Sequence, residues 1–158
     1  LLFPFIVNAQ PTKPSQHDKT SKIILEDPKP YEEEDEDLMT VQYVLLQQQS
    51  DWNEGKIDDF MEAYWKSDEL MFSGASGITY GWKNTLEGYK KRYPDKAAMG
   101  ELKFEIKEVQ KLSKKVIMMI GSWDLERESG DIGGHFMLIW KKIGKSWMII
   151  ADHTSSRN

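Results

Sequence analysis

Residues 101–155 read ELKFEIKEVQKLSKKVIMMIGSWDLERESGDIGGHFMLIWKKIGKSWMIIADHTS, and their periodicity decides the fold. Leu102, Phe104 and Ile106 alternate with Lys103, Glu105 and Lys107, so this strand is apolar on one face and wet on the other. Three further runs follow, Val116 to Leu125, His135 to Ile143 and Trp147 to Ser155. Ser129-Gly130-Asp131 and Ile143-Gly144-Lys145 separate them as hairpin-type connections. Four strands in succession make an antiparallel meander. The last two are apolar on both faces, with Met137 and Ile139 set against Phe136, Leu138 and Trp140. Helices cover one side of such a sheet, and a second copy of the chain is the economical cover for the other.

Upstream of Gly100 the period is helical. Leu38, Val41, Leu45 and Trp52 share one face of a first helix that Gly55 ends. Ile57, Phe60, Met61, Tyr64 and Trp65 form one continuous stripe on a second. Leu70-Met71-Phe72 reads as a short strand, and Gly74, Gly77 and Gly81 break the chain into loops around Tyr80. In a third helix Trp82, Leu86, Tyr89 and Tyr93 point the same way before Pro94 stops it. Helices followed by a meander predict an α+β layer, with about three N-terminal helices packed on a curved antiparallel sheet and a cavity at the wide end.

Residues 1–9, the greater part of LLFPFIVNAQ, are apolar and reach the small-x-small pattern Val7-Asn8-Ala9. This resembles the end of a secretory signal cleaved after Ala9, so export to the periplasm or medium is expected; a short buried strand is the competing reading. Residues 10–37 mix Pro and charge with little to bury and read as a mobile leader, leaving 38–158 as the domain. The net charge of −5 is concentrated there: Glu26 to Asp37 holds eight acids against Lys29, whereas from Leu38 onward 17 basic residues balance 17 acidic ones. A nucleic-acid partner needs a basic face, and the domain has no such excess. The absence of cysteine removes disulfides, thiolate metal sites and a Cys nucleophile. No remaining segment is apolar enough to span a bilayer.

The run DWNEGKIDDFMEAYWKSDELMFSG (51–74), then YGWKNTLEGYKKRYPD (80–95), Gly121-Ser122-Trp123-Asp124-Leu125, Gly134-His135-Phe136 and SWMIIADHTS (146–155) resemble, in order and spacing, the SnoaL-like branch of the nuclear transport factor 2-like superfamily. The resemblance covers roughly residues 38–156. It implies a conical α+β barrel that often dimerises through its sheet, with a pocket that hosts enzymes in some members and ligand binding alone in others.

The residues themselves allow three functions. An aromatic set, Tyr64, Phe72, Tyr80, Trp82, Tyr89, Tyr93, Trp123 and Phe136, predicts a ring-lined pocket for a small apolar or aromatic molecule. Alternation from Trp147 through Ile149 and Ala151 carries His153 inward and Asp152 outward. His153 then joins the pocket as a wall residue, or as the general base of a cofactor-free isomerase, hydratase or cyclase, with Tyr64 or Tyr80 as oxyanion donor. It equally suits a structural hydrogen bond that closes the barrel, which goes with a purely structural or protein-association domain. By this parity no acid stands in the pocket. His135 is a weaker candidate beside Gly133 and Gly134, and no metal-ligand spacing or cofactor motif is present.

Overall fold

The computed structural model describes residues 35–157 of the chain. The expected signal segment, nearly all of the leader and His17 lie outside them. Helix α1 (Glu36–Asn53) begins within the acidic run, because Asp35 caps it by accepting from the Asp37 backbone N–H. Asp37 accepts from Lys111 Nζ and Lys142 Nζ, each at 2.8 Å, and from Trp147 Nε1 at 2.9 Å. These three donors hold its carboxyl far below the usual range.

Helix α1 buries Val41, Leu45, Gln48 and Trp52. Its neighbouring face meets the edge of the sheet with polar side chains. Asn53 accepts from Leu102 N and donates to Leu102 O, and Gln49 accepts from Phe104 N at 2.6 Å. At Leu102 and Phe104 the groups of this edge are thereby satisfied by amides of the covering helix and closed to further pairing.

The second apolar stripe is not one helix. Helix α2 (Ile57–Phe60) runs into a 3-10 turn (Met61–Ala63), and Tyr64 is extended, bridging in parallel to Ile149. Trp65 N donates to Ile149 O at 2.9 Å, so pairing with the last strand overrides the helical period. The expected loop around Tyr80 is instead a hairpin, β1 (Met71–Gly74) with β2 (Gly77–Tyr80). Helix α3 (Trp82–Arg92) and the short α4 (Lys96–Met99) precede the meander β3 (Glu101–Ser113), β4 (Val116–Glu126), β5 (Ile132–Ile143) and β6 (Ser146–Thr154).

The result is α+β, a few helices on a curved six-stranded sheet in the order β2-β1-β6-β5-β4-β3. Pairing is antiparallel except that β1 lies parallel to β6. Two register shifts bend β3 against β4, and one interrupts β5 against β6. The sheet's inner face carries Ile117, Met119, Leu138, Trp140 and Ile149, all buried under the helices. On the outer face Val116, Met118, Ile120, Ile139 and Met148 are half-buried, and Met137 is 41% exposed.

Candidate functional site

The irregularity between β5 and β6 determines the site. Ile139 pairs with Ala151, but the next β5 residue, Trp140, pairs with Ile149, so Ile150 is an extra residue in β6. A bulge of this kind shifts the alternation by one. Trp147 and Ile149 face inward as expected; beyond the bulge Asp152 and Thr154 do, and His153 faces out. The expectation for this strand is therefore corrected. His153 is exposed, with Nδ1 3.2 Å from Ser73 Oγ, and lies outside the cavity.

Between helices and sheet lies a cavity of about 410 Å³. Of the predicted aromatic set, Tyr64, Phe72, Tyr89, Tyr93, Trp123 and Phe136 line it. Tyr80 and Trp82 do not. Tyr80 is 58% exposed at the end of β2, and Trp82 packs on the core with its indole N–H donating to Met61 O at 2.9 Å. The wall is built from edge-on ring contacts, Trp52 with Tyr93 at 4.8 Å, Phe60 with Tyr89 at 5.4 Å and Phe104 with Phe136 at 5.5 Å.

One ionisable acid enters this apolar space. Asp152 is 4% exposed, and its carboxylate accepts from Tyr64 Oη at 2.7 Å and from Thr154 Oγ1 at 3.2 Å. Burial pushes the Asp152 carboxyl up to about 6, and the two hydroxyl donors pull against that rise. Burial and the Asp152 charge push the phenols of Tyr64 and Tyr89 above their ordinary value, so both remain neutral donors. Asp152 is held from both sides, paired with Phe72 on β1 and Leu138 on β5. Such a group can accept a proton or a hydrogen bond from an enclosed molecule near neutrality, while Tyr64 stabilises the charge.

No model of a protein family matches the chain, and no curated protein does. Among solved structures, a nuclear transport factor 2-like protein of unknown function from Shewanella oneidensis is similar at 41% identity and TM-score 0.71, over 74% of this chain and 97% of that one. The chain belongs to the nuclear transport factor 2-like superfamily. Two further solved structures share the fold: a ketosteroid isomerase-like protein from Erwinia carotovora atroseptica (16% identity, TM-score 0.65, 78% of this chain and 98% of that one) and a nuclear transport factor 2-like superfamily protein from Salmonella enterica serovar Typhimurium (13%, 0.60, 76% and 90%).

In this superfamily member the meander and the ring-lined wall follow the sequence pattern, whereas the polar centre does not. Strict alternation puts Asp152 on the wrong face, the helical reading of α1 leaves Gln47, Gln48 and Gln49 largely off its apolar face, and no pattern points to Arg92 or Thr154, although Gln48, Arg92, Asp152 and Thr154 all line the cavity. Gln48 instead lies on the apolar stripe of α1, three positions after Leu45 and four before Trp52, and is buried there. Among the described residues no cluster of three or more metal-ligating side chains occurs, and no helix is long and apolar enough to cross a membrane.

Proposed function

We propose that this domain encloses a small apolar or aromatic molecule between its helices and its sheet. The observation that carries this reading is the cavity of about 410 Å³, walled by rings and containing one buried polar pair, Asp152 and Tyr64. Its size and its sparse, convergent polar groups suit a small-molecule site. Trp52 and Trp123 line the cavity, so their fluorescence reports uptake in a titration against a metabolite library. Thr154→Phe fills the half-exposed wall and should abolish uptake in a folded protein. Trp82→Ala, away from the cavity, should leave affinity unchanged. Retention of full uptake by Thr154→Phe would refute the assignment.

A second reading is supported by the raised carboxyl of Asp152. In a cofactor-free isomerase, hydratase or cyclase, Asp152 rather than His153 takes the role of general base, with the Tyr64 hydroxyl as donor. Asp152→Asn should then lower the turnover of an identified substrate by about 10²–10⁴-fold, since a positioned base contributes on that order. Wild-type turnover should rise with pH through about 6 as the carboxyl ionises. An unaltered rate in the variant leaves binding alone.

The outer sheet face, with Met118, Ile120, Met137 and Ile139 half-buried or exposed, supports a homodimer through that face. Residues 1–9 support export, and the runs at 51–74 and 146–155 support placement in the SnoaL-like branch.

A further inference from the structure

Helix α3 ends at Arg92 over the rings of the cavity wall. The guanidinium carbon is 5.3 Å from the centroid of Tyr89 and 5.6 Å from that of Phe72, two rings that themselves meet edge-on at 5.7 Å. Arg92 is the one cationic side chain lining the cavity among the described residues. It differs from its neighbour Lys90, whose charge is matched by Asp58 at 2.8 Å. No carboxylate lies within ion-pair distance of Arg92 among the described residues. It does not serve the cavity's own acid either, since Asp152 is satisfied by Tyr64 and Thr154.

A basic residue in the last turn of a helix suits the helix dipole, but Lys90 and Lys91 already meet that need. The dipole does not explain why this cation lies over two cavity rings. A cation–ring contact restricts the guanidinium without using its N–H donors, and its fork matches a carboxylate with two parallel hydrogen bonds. Ala75, Ser76 and Ser156, which also line the cavity, are neutral. Among the described residues the cavity thus offers one cation without an ion-pair partner, the solvent-exposed Arg92 beside its ring wall, and a separate neutral-to-acidic pair at Asp152 and Tyr64.

We propose that Arg92 makes this cavity selective for ring-containing monocarboxylates, with the ring system inside the aromatic wall and the carboxylate on the guanidinium. This rests on the reading of the cavity as a ligand site. The test uses N-phenyl-1-naphthylamine, an uncharged probe that brightens in apolar surroundings, displaced by 1-naphthylacetate or by its neutral counterpart 1-naphthylacetamide. The wild-type chain should prefer the acetate roughly tenfold, as a charge-assisted pair predicts. In Arg92→Gln that preference should vanish, while the affinity for the uncharged probe changes less than about twofold. Lys91→Gln should keep the preference, because a general surface-charge effect would be shared between the two positions. Equal affinities for acetate and acetamide in the wild type, or a preference that survives Arg92→Gln, overturn the inference and leave the ligand site standing. Failure of the probe and of both competitors to bind the wild type overturns the site itself and the inference with it.

Discussion

Asp152 is the residue whose burial works against the fold. Its carboxyl lies at about 6 when folded and at its ordinary 3.8 when unfolded. Below the lower value both states hold the proton and nothing is lost. As pH rises between the two values the unfolded chain ionises first, so stability falls; above 6 the full penalty is present, on the order of 3 kcal/mol. Asp152→Asn keeps an acceptor for Tyr64 and removes the charge. It should therefore raise the thermal midpoint at pH 8 and give little gain at pH 4, as read by calorimetry at both values. Equal effects at the two values would show that the charge is not what burdens the fold. The sequence could not place this residue. Ile149-Ile150-Ala151 is apolar throughout, so its alternation has no contrast from which to fix a phase, and the bulge at Ile150 arises from pairing with Ile139 and Trp140 on another strand. The rings were easier, because helical spacing alone put Tyr89 and Tyr93 on the inward stripe.

At the scale of elements, β4 and β5 meet where Gly121 faces Phe136. A Cβ at Gly121 would collide with the Phe136 ring and with the Glu105 carbonyl of β3. The ring can turn; the carbonyl, fixed in the ladder, cannot without bending the strand. Gly121→Ala should cost about 1–3 kcal/mol in denaturant unfolding, by analogy with overpacked cores. A neutral result would mean that β3 yields at its bulges. The strands of the meander were legible because polar and apolar residues alternate in β3 and glycines mark the hairpins. The stripe from Ile57 to Trp65 predicts one continuous helix, yet Tyr64 leaves it to pair with Ile149. Strand β2 is not legible, because the three residues between Gly77 and Gly81 carry too little pattern.

For the whole molecule, the order of helices and strands was enough to give the architecture, since a run of helices followed by a meander has few ways to bury both. In the proposed homodimer a second copy of the chain covers the outer sheet face. Light scattering at micromolar concentration should give twice the 18.4 kDa chain mass. Met137→Lys, placed in the middle of that face, should return a monomer of unchanged secondary structure. A wild-type monomer at that concentration would leave the half-exposed methionines unexplained.

The parallel pairing of β1 with β6 also governs the order of assembly. A nascent chain that has not yet reached Ser146 has no neighbour for β1 except β2, no Trp147 for Asp37 and no Asp152 for the cavity. Its first helix can already dock on β3 through Asn53 and Gln49, but its first hairpin must wait, outside the sheet, for the last strand to be made. Contacts so distant in sequence slow folding and favour an all-or-none transition. Loss of β6 should therefore abolish the whole domain rather than trim one edge of it.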